Sequence, residues 1–276
     1  MSLRYHARQP VSAAQLSRYL ESALTFARRA GEVILPHFRT AIEIENKAGE
    51  GRFDPVTAAD KAAEKRIREE IAAAYPDHAV FGEEHDYQPG NGLTWVVDPI
   101  DGTRAFMTGM LHWGVLIALF DGEEPILGVM HQPFTDEYFF GTNTEASYRR
   151  GTNQATLRAR KCEGLAHATL ASTGAFLNAS AEEHDAFHAV RRNVRLTRYG
   201  GDCYLYCLLA MGLIDLAIEV DLKPYDIQAL MPIIRGAGGV VTTWDGGNPA
   251  MGGRIVAAGD ARVHRAAMQI LERRAG

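Results

Sequence analysis

The sequence predicts an α/β fold, and three observations predict it. Two stretches near the start carry apolar residues at helical spacing, and a middle section reads as successive strands parted by turn residues. From about Arg150 helices and strands alternate to the end. With 276 residues the chain has room for one large core or two modest ones. The change of character near Arg150 divides it into an N-terminal subdomain, 1–149, and a C-terminal α/β subdomain, 150–276.

Residues 1–10 read as a loose leader. Over 12–38, Leu16, Leu20, Leu24, Ala27, Ile34 and Phe38 fall near helical spacing, with Gly31 and Pro36 marking frayed last turns. Residues 42–45 alternate like a half-exposed strand and run into Lys47, an accessory candidate. A second helix follows Asp54-Pro55-Val56-Thr57-Ala58-Ala59-Asp60, with Ala63, Ile67, Ile71 and Ala74 on one face. Thr57 or Asp60 suits its N-cap, and Pro76 ends it. Asp54 precedes a proline and lies outside the helix, so capping does not account for it.

Residues 79–81 form a short strand closing at Gly82-Glu83-Glu84. Residues 93–97 form another, ending in Asp98-Pro99-Ile100-Asp101-Gly102-Thr103. After a short helix at 105–109, strands at 113–120, 125–131 and 137–141 are bounded by Asp121-Gly122 and Gln132-Pro133, the pattern of an antiparallel meander. His131 has no second imidazole at ligand spacing and reads as a packed residue. Strands at 168–172, 194–198, 216–220, 240–243 and 254–258 then alternate with helices at 181–191, 203–211, 224–235 and 261–273.

A hydrophobic share of 46% and a charged share of 23% are ordinary for a globular protein. The net charge of −5, with no Lys/Arg block, argues against nucleic acid and for a small molecule as partner. Three cysteines, two of them Cys203 and Cys207 at helical spacing, make neither a disulfide framework nor a zinc site. They read as buried residues of a reducing compartment. No apolar run reaches about 18 residues, so the expectation is a cytoplasmic protein with no membrane partner.

A strand ending in two carboxylates three positions apart, then a glycine and a hydroxyl residue opening a helix, suits a hard cation beside an anion. Carboxylate oxygens hold Mg²⁺, and backbone N–H groups at Gly102 and Thr103 face a phosphate at the helix start. Asp226 alone reads as an aspartate favoured by a helix macrodipole. Glu83, Glu84, Asp98, Asp101 and Asp226 together, with Asp54 and Thr57 upstream, match phosphate-ester hydrolysis assisted by two or three Mg²⁺ ions. The set is all oxygen, without sulfur or imidazole. No nucleophile-elbow serine or catalytic cysteine arrangement is visible.

The segments 54–60, 82–84, 98–103 and 224–239 stand in the order, and at about the spacing, of the inositol monophosphatase family of Mg²⁺-dependent, Li⁺-sensitive phosphatases. The chain resembles that family over nearly its whole length. The resemblance implies an α-β-α-β-α sandwich of two subdomains with the site between them, commonly in a homodimer. It implies Glu83, Asp98, Asp101 and Asp226 as metal ligands, with the Ile100 carbonyl a further one. Gly102 and Thr103 would bind phosphate, and the Thr103 hydroxyl, paired with Asp54, would activate the water. Two departures stand out: Tyr225 replaces the usual tryptophan before Asp226, and Arg235-Gly236-Ala237-Gly238-Gly239 replaces Glu-Ala-Gly-Gly.

Within the family, Tyr199-Gly200-Gly201-Asp202-Cys203-Tyr204, residues 113–119 and residues 127–133 look most like the histidinol-phosphate phosphatase branch. That substrate carries an amine and an imidazole, which Asp202 and Glu219 are placed to receive. An inositol or other sugar phosphate is the alternative, because carboxylates also accept from sugar hydroxyls. Adenosine bisphosphate fits less well, since no basic cluster awaits a second phosphate. The non-enzyme alternative, a metal-binding regulatory protein of the same fold, would be marked by loss of Thr103, Asp54 or Glu83, and all three are present.

Overall fold

The spacing of apolar residues decides which layer each segment joins. The computed structural model describes residues 3–41, 44–46, 55–174 and 179–275. In order, these form α1 (Ala13–Ile34), β1 (Ile44–Asn46), β2 (Pro55–Thr57), α2 (Ala58–Ala74), β3 (Ala79–Gly82), β4 (Thr94–Asp101), α3 (Thr103–Met107), β5 (Gly114–Phe120), β6 (Pro125–Gln132), β7 (Glu137–Thr142), β8 (Ala146–Arg150) and β9 (Asn153–Thr156). Then come β10 (Thr169–Ser172), α4 (Ala181–Arg191), β11 (Leu196–Tyr199), α5 (Asp202–Ala210), β12 (Leu216–Leu222), α6 (Pro224–Ile227), α7 (Leu230–Gly236), β13 (Val240–Thr243), β14 (Gly253–Ala258) and α8 (Ala261–Ala275).

Strand β5 shows how the layers arise. Val115, Ile117 and Leu119 pack with Ala27, Ile67 and Trp95 in the core under α1 and α2. Leu116, Ala118 and Phe120 point the other way, toward Leu209 of α5 and Leu230 and Ile233 of α7. Both faces are covered, so this strand is apolar throughout rather than alternating. In β12 the same period of two sends Ala217 into that middle core, and Leu216 and Ile218 into a third core with Phe187 of α4 and Val263 of α8. The order of layers is therefore α1/α2, first sheet, α5–α7, second sheet, α4/α8, the α-β-α-β-α sandwich expected.

The first sheet has seven strands in the order β3-β4-β5-β6-β7-β8-β9, and the second has five in the order β11-β10-β12-β14-β13. Strands β3 and β4 are parallel, and each later neighbour in the first sheet is antiparallel. At Gly128 in β6 an added Cβ would stand 1.8 Å from the Ala229 carbonyl oxygen. Backbone at the α6–α7 junction thus rests on backbone of the first sheet.

Several elements differ from expectation. The leader packs down: Leu3 is buried, and Arg8 binds Asp121 at 2.7 Å. Helix α1 begins at a Ser12–Gln15 capping box, and Pro36 lies in a 3₁₀ turn, Leu35–His37. In α2, Ala63, Ile67 and Ile71 are buried but Ala74 is exposed. The hairpin β8–β9 was not expected, because the edge strand β9 is exposed at every position and carries no apolar alternation. The helix expected over 224–235 is two helices. Pro232 has no N–H for the Gln228 carbonyl, so the helix restarts at Leu230 and Pro232 falls in a first turn, where no donor is needed.

Candidate active site

Residues three apart on a regular strand point to opposite faces, yet Asp98 and Asp101 act together. Between them the pairing of β4 with β5 shifts: Asp98 is opposite Leu116 and Asp101 is opposite Gly114. One extra residue on β4 makes a bulge at Pro99, which has no N–H to give the ladder. The bulge turns both carboxylates to one side. Asp98 Oδ1 accepts from the Ile100 N–H at 3.1 Å, which braces the turn.

Parallel pairing sets Gly82 beside Val97, so the next residue along each strand is Glu83 and Asp98. Asp226 arrives from the middle layer in α6, where its Oδ2 accepts from the Lys223 N–H at 2.6 Å. Carboxylate oxygens of Asp98, Asp101 and Asp226 lie within 4.8 Å of one another. Burial, then the charges of Glu83, Asp101, Asp226 and Asp60, push Asp98 well above the usual carboxylate range. Burial and Asp101 do the same to Asp226. Asp101 is pushed up to about 7, mainly by burial and by Asp202.

Carboxylates this close, with Asp98 buried and Asp101 and Asp226 half-buried, repel one another unless they are protonated or share a cation. The donor set is all oxygen, which fits a hard divalent ion. Beside it the Tyr206 hydroxyl is buried with no hydrogen-bond partner among the described residues, near enough to Glu219, Asp101 and Asp226 to feel their charge. These residues fit a bound metal.

Gly102 is held by two constraints. Its φ of +86° lies in the left-handed region, and a Cβ there would stand 2.5 Å from the His112 carbonyl oxygen. Thr103 follows at the start of α3. Its hydroxyl donates to the Ile100 carbonyl at 3.1 Å and lies 3.5 Å from Asp60 Oδ1. Asp60, fully buried, also closes the capping box of α2, accepting from the Thr57 N–H at 2.9 Å and the Thr57 hydroxyl at 2.5 Å. Thr57 is the N-cap. Among the described residues the carboxylate beside Thr103 is Asp60, which the sequence offered as a cap; Asp54 and Lys47 lie outside the described residues.

Asp202 and Glu219 come from different elements. Gly200 and Gly201 take positive φ, as does Asp202 itself at +43°, and so turn the chain into α5. The Cys203 N–H then donates to Asp101 Oδ2 at 2.5 Å, linking α5 to the end of β4. Asp202 Cβ would stand 3.1 Å from a Cβ at Gly102. Glu219 on β12 accepts from the Thr173 N–H at 2.5 Å. Burial and the Glu219 charge push Asp202 up to about 7, and burial pushes Glu219 up to about 7.

Glu84 gives its N–H to Glu64 Oε2 at 2.7 Å. Glu64 is fully buried and was not singled out from sequence; the available signal was an acidic residue beside the Ala59, Ala63, Ile67 stripe of α2. Tyr225 stacks on Phe81 with ring centroids 6.1 Å apart, and Arg235 pairs with Glu124 at 3.1 Å. Neither departure alters a carboxylate of the cluster. Cys203 and Cys207 are free and buried. No helix among the described residues is long and apolar enough to cross a membrane.

A family model described as the inositol monophosphatase family matches residues 15–274. A bifunctional phosphatase IMPL2 of the Arabidopsis thaliana chloroplast is 39% identical over 95% of this chain and 77% of its own length. A histidinol-phosphatase of Chlorobaculum parvum is 33% identical over 87% of this chain and 95% of its own. A solved structure of an inositol monophosphatase from Zymomonas mobilis superposes with a TM-score of 0.83 at 37% identity, covering 95% of this chain and 100% of that one.

Proposed function

We propose a substrate from a premise already in hand: the chain belongs to the inositol monophosphatase family, whose members are metal-dependent phosphatases of small phosphorylated compounds. The reaction we assign is hydrolysis of histidinol phosphate to histidinol and inorganic phosphate, with two or three Mg²⁺ ions. The observation that carries the substrate is the Asp202–Glu219 pair: a half-buried Asp202 beside Gly102 and a buried Glu219 whose charge it feels, each raised to about 7. An organic cation would relieve that repulsion, and histidinol phosphate brings an amine and an imidazole.

Glu83, Asp98, Asp101 and Asp226, with the Ile100 carbonyl, would hold the metal, and Glu84 and Lys47 stay accessory. When bound, Mg²⁺ polarises phosphoryl oxygens and lowers the pKa of the attacking water. The N–H groups of Gly102 and Thr103 hold the phosphate. The Thr103 hydroxyl orients the water, and Asp60, whose Oδ1 lies 3.5 Å away, draws on its proton. Asp54, the partner first expected for Thr103, lies outside the described residues and stays a candidate beside Asp60.

We carry two subdomains, 1–149 and 150–276, a homodimer and a cytoplasmic location within the same reading. The dimer is supported by Met110 and Phe134, which are 57% and 49% exposed. Arg39 joins them, donating to the Gly109 carbonyl and lying over the Phe134 ring. The location is supported by three free thiols.

The test is kcat/KM for histidinol phosphate against inositol 1-phosphate with Mg²⁺. The expected preference for the former is tenfold or more, about 1.4 kcal/mol in the transition state. An equal preference the other way would move the substrate to inositol phosphate, the reading that the Zymomonas mobilis neighbour favours, and leave the phosphatase intact.

A further inference from the structure

We propose that Glu64 and Arg68 are positioning residues that fix the turn carrying Glu83 and thereby set the cation affinity of the site. This rests on Glu83 being a metal ligand, as read above. Both oxygens of Glu64 are engaged: Oε2 accepts from the Glu84 N–H at 2.7 Å, and Oε1 accepts from Arg68 Nε at 2.8 Å, with His85 Nδ1 3.4 Å away. Arg68 Nη2 in turn donates to the His85 carbonyl at 3.2 Å. The turn after Glu83 is thus tied to α2 through one N–H and one carbonyl.

The residue before Glu83 is shaped by the same contact. A Cβ at Gly82 would stand 2.1 Å from Glu64 Oε1, so glycine and carboxylate fit one another across the gap. A helix gains its i,i+4 ion pair at the surface without burial, whereas Glu64 is fully buried and a buried ion costs several kcal/mol to desolvate. Helix stability alone does not account for that placement, but holding the turn does. One turn earlier on α2, Asp60 reaches Thr103. A single helix therefore fixes two sides of the site.

The test is calorimetric titration of the purified protein with Mg²⁺, without substrate, on wild type, Glu64→Gln, Arg68→Lys and Asp98→Asn. Glu64→Gln is expected to weaken Mg²⁺ binding about tenfold or more, while KM at saturating Mg²⁺ stays within about twofold. Arg68→Lys keeps the charge but cannot bridge Glu64 and the His85 carbonyl with a planar fork, so it is expected to lose affinity as well. Mg²⁺ affinity within about twofold of wild type in both variants would overturn the proposal. If Glu64→Gln does not fold, Arg68→Lys decides alone on the same criterion. Failure of the underlying metal reading looks different: Asp98→Asn would then bind Mg²⁺ as wild type does.

Discussion

Asp98, Asp101 and Asp226 bring their oxygens within 4.8 Å of one another, whereas Asp202 and Glu219 stand on α5 and β12 outside that group. The Thr173 N–H bonds Glu219, and the Arg104 charge offsets part of the burial of Asp202. The first cluster needs one concentrated positive charge that several oxygens can share. The second, on the proposed reading, meets a dispersed organic cation. On that same proposed reading, the first part performs hydrolysis and the second reads what is attached to the phosphate.

The largest effect should come from breaking the first cluster. Asp98→Asn is expected to lower kcat at least about a thousandfold, roughly 4 kcal/mol, on histidinol phosphate and a neutral ester alike; steady-state kinetics with Mg²⁺ would show it. Asp60→Asn should lower kcat about a hundredfold with KM little changed. A normal rate in that variant would remove Asp60 from the Thr103 hydroxyl's role.

Breaking the second cluster should be milder and selective. Asp202→Asn or Glu219→Gln is expected to cut kcat/KM for histidinol phosphate about tenfold while a neutral phosphate ester changes within about twofold. Equal losses on both esters would erase the distinction between the clusters.

The last test is on stability without metal. Asp101 and Asp202 rise from 3.8 to about 7, and Glu219 from 4.5 to about 7. The folded state therefore binds these protons more tightly than the unfolded state does. Their contribution is full below about pH 4 and is lost as pH rises through about 7. Metal-free protein should show a falling Tm between about pH 5 and pH 8, and Mg²⁺ should restore it at the upper end. A Tm that climbs over that range would contradict the sign.

The first cluster was legible because Asp98 to Thr103 is contiguous and its geometry is local: a proline-centred bulge, a left-handed glycine, a helix start. Asp60 was half legible. Capping explains it fully in one dimension, and its approach to Thr103 depends on how α2 lies against β4. Glu64 was invisible as a functional residue, since its partners, the Glu84 N–H and the turn at His85, belong to another element. Asp202 and Glu219 were legible as residues but not as a coupled pair, because α5 and β12 meet only through the sheet order. The break between α6 and α7 was readable at Pro232, where a continuous helix would orphan a carbonyl.

The contact between Gly128 and the Ala229 carbonyl has a consequence for how such a pocket can change. With no side chain between sheet and helix layer, the gap that brings Asp226 toward β4 is set by backbone radii and acts as a fixed ruler. No substitution can shorten it, and any at Gly128 lengthens it. Positions 202 and 219 lie off that ruler, so on the proposed reading the accepted leaving group can drift by single replacements while the carboxylate cluster keeps its spacing.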